Sequence, residues 1–129
     1  MKKIIPLLMA LLLLAGCAVQ PEKSTYRQIN AEEAAAMMEE ESGYLILDVR
    51  TAEEYIQKHI PGAINVPNEI IGTEDIPELP DKEQLILVYC RSGNRSKQAS
   101  EKLVKLGYTN VVEFGGINGW TGETVTGVS

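Results

Sequence analysis

The sequence has few of the residues that build metal sites and disulfide scaffolds. Of its 129 residues, two are cysteine and one is histidine, and aromatic side chains make up 5%. Two cysteines, Cys17 and Cys90, are too few for a disulfide-rich scaffold, and no C-x-x-C pair or histidine cluster could hold a zinc ion. Basic side chains are also scarce, because twelve Lys and Arg accompany eighteen Asp and Glu, for a net charge of −6. We therefore expect no metal site and no nucleic-acid partner.

An apolar run long enough to cross a membrane, about 20 residues, is also missing from the sequence. The N-terminus instead has a basic start, Met1-Lys2-Lys3, followed by an apolar stretch over residues 4–15. This combination is typical of a secretory signal peptide. The stretch ends in Leu14-Ala15-Gly16-Cys17, which resembles the bacterial lipobox, in which cleavage leaves a lipidated cysteine at the N-terminus. We predict a signal peptide over residues 1–16 and lipidation of Cys17; an ordinary signal peptide with an incidental cysteine is the alternative.

The segment after the predicted cleavage site is polar and contains proline, which is typical of a tether. We therefore predict a lipidated N-terminus and tether over residues 17–25. Several acyl chains on one cysteine anchor a protein stably, whereas a single chain binds a membrane only marginally. The expected localisation is extracytoplasmic, as a membrane-anchored bacterial lipoprotein with a lipid anchor in the membrane. Residues 26–129 are enough for one domain of ordinary size.

Within this domain the pattern alternates between strands and helices. Apolar, β-branched segments predict strands over residues 26–29, 44–48, 63–66, 84–89 and 110–114. Helix-forming segments predict helices over residues 31–41, 52–57 and 96–106, the first two with capping-box starts. Such alternation indicates an α/β fold with a mostly parallel central sheet and helices on both faces.

Cys90 lies at the most informative position in the sequence. It directly follows the buried strand predicted over residues 84–89 and precedes the start of a predicted helix. In open α/β sheets, ligand sites lie at the carboxyl ends of strands. A loop that enters a helix there presents backbone N–H groups and the positive end of the helix dipole. These groups, with Arg91 and Arg95, favour a thiolate, so Cys90 is predicted to be a reactive nucleophile rather than a buried apolar residue.

The segment Cys90-Arg91-Ser92-Gly93-Asn94-Arg95-Ser96 resembles the active-site loop of the single-domain rhodanese family. Three further segments match that family in the family's order: Asp48-Val49-Arg50, then Glu54-Tyr55 with His59-Ile60-Pro61-Gly62-Ala63-Ile64-Asn65, and finally Gly115-Gly116 through Trp120. The resemblance spans about residues 26–125. It implies a single rhodanese-like domain. One departure is Lys58, at a position where the family usually has glycine.

The resemblance implies sulfur transfer by covalent catalysis without a cofactor. Cys90 would attack the outer sulfur of a small anionic donor such as thiosulfate and become a persulfide. Cyanide or a thiol, or an unidentified protein acceptor, would then take the sulfur. Arg91 and Arg95 would provide positive charge for the donor. The residues that would bind the donor are successive in the loop: Arg91, Ser92, Gly93, Asn94 and Arg95.

Four other matched residues are predicted to support the site rather than react. For Asp48 and Arg50 we expect an ion pair or support of the loop. His59 is expected to hydrogen-bond the backbone, and a role as general base is the alternative. Trp120 is predicted to cover the core behind the loop. The acidic runs at residues 39–41 and 53–54 are predicted to be solvated helix faces.

Two other functions remain open from the sequence. Dual-specificity phosphatases use Cys and Arg in one anion-binding loop, but with five intervening residues, whereas four separate Cys90 from Arg95. A shorter loop would fit a sulfur-sized group better than a phosphate ester. The second alternative is a non-catalytic rhodanese-like module for binding or redox sensing. Loss of the loop cysteine usually marks such modules, and Cys90 is present.

Overall fold

The computed structural model describes residues 25–128, in which strands and helices alternate around one parallel sheet. The strands are β1 (Arg27–Gln28), β2 (Leu45–Asp48), β3 (Ile64–Asn65), β4 (Ile86–Cys90) and β5 (Val111–Gly116). The helices are α1 (Ala31–Glu40), α2 (Ala52–Gln57) and α3 (Asn94–Lys105), with 3-10 turns at Asn68–Ile70 and Ile117–Gly119. The strand order is β1-β5-β4-β2-β3, and every pairing between these strands is parallel. The predicted α/β fold with a parallel sheet is confirmed.

The central strand β4 divides the core into two clusters because successive side chains point to opposite faces of a sheet. Ile86, Val88 and Cys90 belong to the cluster that also contains Ala99 and Leu103 of α3, here called the α3-side cluster. Leu87 and Tyr89 belong to the cluster on the other face, which contains Ala34 of α1 and Tyr55 of α2, here called the α1/α2-side cluster. Helices thus cover both faces, as predicted, and Cys90 faces α3.

The starts of α1 and α2 follow the predicted capping boxes. The side chain of Asn30 accepts a hydrogen bond from the Glu33 N–H, and the Glu33 carboxylate accepts one from the Asn30 N–H. Thr51 and Glu54 form the same reciprocal pair at the start of α2. These bonds satisfy backbone donors that have no partner inside a helix, so both helix starts are fixed by local sequence.

The boundaries around the cysteine differ from the prediction. Strand β4 runs through Cys90, and α3 begins at Asn94, two residues before the predicted start at residue 96. Gly93 makes this early start possible, because it occupies the N-cap with a φ of +116°, a conformation that side-chain-bearing residues rarely adopt. The connection is therefore only three residues long. The predicted strand over residues 63–66 is likewise reduced to β3.

The predicted signal peptide over residues 1–16, lipidation of Cys17, and the tether up to residue 24 lie outside the described residues. Within residues 25–128, no helix has the length and apolar character that crossing a membrane requires.

Candidate active site

Cys90 is the last residue of β4, beside Gly116 at the end of β5. Its side chain is buried, at 1% exposure, and belongs to the α3-side cluster. The loop and α3 cover the thiol, and the role of Cys90 as a nucleophile stays a prediction. The Gly93 N–H donates a hydrogen bond to Cys90 Sγ over 3.0 Å. An N–H donor of this kind stabilises negative charge on sulfur, as a nucleophilic cysteine requires.

The N-terminus of α3 adds backbone donors to this loop. Gly93 is its N-cap and makes no side-chain capping bond, and the first intrahelical N–H bond runs from Lys97 to the Gly93 carbonyl over 3.3 Å. The N–H groups of the preceding turn therefore have no carbonyl acceptor in the helix. Together with the helix dipole, they make this end of α3 suitable for an anion.

The loop backbone rests directly on the end of β5. A Cβ atom on Gly116 would lie 1.9 Å from the carbonyl oxygen of Arg91, so only glycine permits this close approach. The same Arg91 carbonyl accepts a hydrogen bond from the Asn118 N–H over 3.2 Å. The Gly115-Gly116 segment therefore fixes the position of the loop that follows Cys90.

Arg95 makes an ion pair that the sequence did not predict. Its guanidinium donates to both carboxylate oxygens of Glu54, with Nη1 to Oε1 at 2.8 Å and Nη2 to Oε2 at 3.2 Å. The hydrogen bond from Arg95 lowers the pKa of Glu54 to about 2. The prediction that residues 53–54 are a solvated face is therefore wrong for Glu54, because α2 and α3 meet through this pair. Arg95 is held beside the loop with its charge already shared by a carboxylate.

Arg91 differs from Arg95 in its surroundings. It is exposed, and it makes no ion pair with any residue in the range 25–128. A cavity of about 380 Å³ beside the loop is lined by Arg91, Lys58, Glu54 and others. Arg91 is therefore available to an anionic ligand, whereas Arg95 would have to share its donors between Glu54 and that ligand.

Asp48 and Arg50 form the expected ion pair, at 2.6 Å between Oδ2 and Nη2, and both residues are buried. Arg50 Nη2 also donates to the Lys58 carbonyl over 2.6 Å. The Tyr89 hydroxyl donates to Asp48 Oδ2 over 2.6 Å and accepts from the Ile60 N–H over 3.1 Å. Burial, reinforced by the charge of Asp48, raises the pKa of Tyr89. The Asp48–Arg50 pair and Tyr89 therefore connect β2 and β4 to the turn after α2 by hydrogen bonds.

His59 is fully buried, and its Nδ1 lies 2.8 Å from the carbonyl oxygen of Tyr55, which is the expected backbone contact. Its ring stacks on that of Tyr55, with centroids 3.8 Å apart. The preceding Lys58 has extended backbone at a φ of −176°, which any residue adopts, so its presence in place of glycine strains nothing. Trp120 packs beside Phe114 in the α1/α2-side cluster, on the opposite sheet face from Cys90.

Two residues near the thiol were missed as functional candidates by the sequence analysis. Ser96 Oγ lies 3.4 Å from Cys90 Sγ and 2.5 Å from Glu113 Oε2. Glu113 is 2% exposed, although the segment 110–114 was predicted as an apolar strand. A charged residue in a strand that is otherwise apolar was the available signal. Its alternation with Val112 and Phe114 places it on the Cys90 face.

Among residues 25–128, no group of three or more His, Cys, Asp and Glu could hold a metal ion. The candidate site therefore consists of one thiol, with a backbone N–H donor, a helix N-terminus and two arginines around it. This arrangement can bind an anion and support attack by a cysteine on it.

Several known proteins have sequences similar to this chain. The rhodanese-like domain family matches residues 30–123. The thiosulfate sulfurtransferase PspE of Escherichia coli is 42% identical over 71 residues, covering 55% of this chain and 68% of that protein. A sulfurtransferase of Allochromatium vinosum is 35% identical over 94 residues, covering 72% and 86% of the two chains.

A solved structure described as a rhodanese with anions from E. coli is 38% identical, with a TM-score of 0.60. The match covers 65% of this chain and 99% of that one. The names of these relatives support the assignment of this chain to a sulfurtransferase family. The parallel sheet, the loop after β4 and the match over residues 30–123 together show that this chain belongs to the rhodanese-like domain family.

Proposed function

We propose that the protein is a thiosulfate sulfurtransferase that carries the transferred sulfur as a persulfide on Cys90. The observation on which this rests is the position of Cys90 Sγ, which accepts the Gly93 N–H over 3.0 Å at the N-terminus of α3. Two similar proteins named thiosulfate sulfurtransferase, from E. coli and Arabidopsis thaliana, support thiosulfate as the donor. The acceptor would be cyanide or a thiol.

The reaction would proceed in two displacements at the same sulfur atom. The Cys90 thiolate attacks the outer sulfur of thiosulfate, the S–S bond of the donor breaks, and sulfite leaves with the electron pair. The loop N–H groups and Arg91 would hold the anionic end of the donor during this step. Cyanide or a thiol then attacks the outer sulfur of the persulfide and releases the Cys90 thiolate. Neither displacement requires a cofactor.

Mass spectrometry of the full chain after incubation with thiosulfate tests the proposal directly. We expect one additional sulfur, about 32 Da, on the peptide that contains Cys90, and release of thiocyanate when cyanide is added. Cys90→Ser should abolish both the additional mass and thiocyanate formation. Cys17→Ser is the matched control, because it removes the other cysteine and should leave sulfur transfer unchanged.

Three results would contradict the proposal of sulfur transfer through Cys90. Thiocyanate production by Cys90→Ser would place the chemistry elsewhere. A wild-type chain that takes sulfur from neither thiosulfate nor a polysulfide would favour a binding or redox-sensing module. Hydrolysis of an aryl phosphate that depends on Cys90, without sulfur transfer, would favour the phosphatase.

We further propose that the chain is a lipoprotein, on the strength of Leu14-Ala15-Gly16-Cys17 after the apolar residues 4–15. The mature protein from its native host should begin at Cys17 and have acyl mass on that residue. Cys17→Ser should release the protein from the membrane fraction. A mature chain without acyl mass, starting elsewhere, would contradict this.

A further inference from the structure

Glu113 is a buried carboxylate close to the candidate nucleophile, and no cation in the described part of the chain pairs with it. It is 2% exposed, and no Lys or Arg nitrogen among residues 25–128 lies within 4.0 Å of its oxygens. Its Oε2 accepts hydrogen bonds from the Ser96 hydroxyl over 2.5 Å and from the Gly115 N–H over 2.9 Å. Keeping a buried carboxylate charged without a cation costs free energy of desolvation. A carboxylate in such a position beside a reactive group therefore suggests a chemical role.

The hydroxyl of Ser96 connects this carboxylate to the thiol. Ser96 is fully buried, and its Oγ lies 3.4 Å from Cys90 Sγ. A hydroxyl has one proton to donate, and the carboxylate of Glu113 is its nearest acceptor, ahead of the Gly93 carbonyl at 3.0 Å and the Gly115 carbonyl at 3.3 Å. With that proton directed at Glu113, a lone pair of Oγ is free to accept the Cys90 S–H.

We propose that Glu113 is a positioning and proton-accepting residue that acts on Cys90 through the hydroxyl of Ser96. The Cys90 proton moves to Ser96 Oγ as the Ser96 proton moves to Glu113 Oε2. The products are a thiolate that accepts the Ser96 O–H and a neutral Glu113 that donates to Ser96 Oγ. No charge enters or leaves the buried site, because one negative charge moves from carboxylate to sulfur.

This inference rests on the proposed sulfur transfer for its role in turnover. The thiolate formed in this way attacks the outer sulfur of thiosulfate, and sulfite leaves with the electron pair of the broken S–S bond. The resulting persulfide transfers its outer sulfur to cyanide, and thiocyanate leaves. Cys90 then returns as a thiolate, which recovers its proton from Glu113 through Ser96. Protons and electrons balance without another reactant.

Cys90 is the titratable group to which hydrogen bonds connect Glu113, by way of Ser96. The other groups around Glu113 are either uncharged or not paired with it. Strand β1 places Gln28, which is uncharged, in register with it. Helix α3 and the loop contribute Lys97 and Arg91, which line the same cavity of about 530 Å³ as Glu113. Neither of these two cations pairs with the carboxylate within 4.0 Å.

The pH dependence of Cys90 alkylation distinguishes a proton acceptor from a structural residue. The full chain is treated with iodoacetamide, and the adduct is quantified on the peptide that contains Cys90. At about pH 6, Glu113→Gln should react about 10²-fold more slowly than wild type, because the thiol has lost its base. At about pH 10, above the ordinary titration of a thiol, the two rates should converge. Ser96→Ala should show the same pattern, and it provides the test if Glu113→Gln fails to fold.

The matched control is Glu101→Gln, which changes an exposed carboxylate on the same helix as Ser96 and should leave the alkylation rate unchanged at every pH. A folded Glu113→Gln whose rate is equal to wild type, or is lowered equally at all pH values, overturns the relay. Thiosulfate is tested in parallel at about pH 7, where Glu113→Gln should accept sulfur about 10²-fold more slowly. If wild type accepts no sulfur while the alkylation profiles behave as expected, the proposed function fails and the relay stands.

Discussion

The arginine–carboxylate pairs Asp48–Arg50 and Glu54–Arg95 differ mainly in burial. Asp48 and Arg50 have side chains exposed by 0% and 5%, whereas those of Glu54 and Arg95 are exposed by 25% and 28%. The buried pair is bound on several sides, by the Tyr89 hydroxyl and the Lys58 carbonyl. The partly exposed pair borders the loop that follows Cys90.

The difference indicates a division of roles. In the buried pair, removing one partner leaves the other charged and without water, so the pair must stay intact for the fold. In the partly exposed pair, solvent compensates part of the loss, and a bound anion can replace the carboxylate as partner of the arginine. We therefore assign the first pair to the fold and the second to the placement of a charge beside the loop.

The largest effect on stability is expected for Asp48→Asn. The substitution leaves the Arg50 guanidinium buried without a countercharge, which should lower the free energy of unfolding by about 3–5 kcal/mol. Urea denaturation of the variant and of wild type measures this change in the free energy of unfolding. Asp75→Asn is the control, because Asp75 pairs with Lys82 over 3.1 Å on the surface and should cost about 0–1 kcal/mol. Equal losses in the two variants would show that burial does not distinguish these pairs.

Arg95→Ala should mainly affect thiosulfate turnover. Loss of the guanidinium beside the loop should lower kcat/KM by about 10²-fold, or about 2–3 kcal/mol, because a charged partner of the donor is removed. Lys58→Ala removes an exposed cation that lines the cavity of about 380 Å³ beside the loop, and it should change turnover much less. Thiocyanate formation under steady-state conditions gives both values. Small and equal effects would show that the donor is held elsewhere.

The smallest effect is expected for Glu54→Gln, which keeps the capping box but removes the charge that faces Arg95. Near neutral pH it should cost about 1 kcal/mol in the free energy of unfolding. The folded-state pKa of Glu54 is lowered from 4.5 to about 2, so the stabilisation is present above pH 4.5 and is lost as the pH falls toward 2.

Urea denaturation of Glu54→Gln and wild type at a series of pH values checks this dependence. The difference in the free energy of unfolding between wild type and Glu54→Gln should be largest near pH 6 and should decrease below pH 4.5. A difference that stays constant over this range would mean that the charge of Glu54 does not stabilise the fold.

Much of the fold and part of the site were predictable from local sequence. The parallel sheet followed from the apolar strand segments, and the starts of α1 and α2 followed from Asn30 and Thr51 with a Glu three residues later. The Asp48–Arg50 pair and the backbone contact of His59 were also expected, and both are present. These features depend on residues that are close in the sequence or on the family's motifs.

The contacts around the thiol could not be predicted in the same way. Glu54 and Arg95 are 41 residues apart in the sequence, and Ser96 and Glu113 are 17 apart. Neither pair has a local periodicity that would indicate a contact. The buried position of Glu113 also conflicts with its charge, so its place in an apolar strand gave no indication of its partner.

The sequence by itself determined the position of the candidate nucleophile, because the type of residue at Cys90, its place after a buried strand and the glycine at position 93 are local properties. The tertiary structure decided which groups lie around that cysteine. Strand order brings β5 beside β4, so that Glu113 reaches Ser96 and Gly116 admits the Arg91 carbonyl. Glu54 of α2 and Arg95 of α3 form an ion pair although their helices cover opposite faces of the sheet. Charges and hydrogen bonds act through distance in space, and the folded sheet sets those distances.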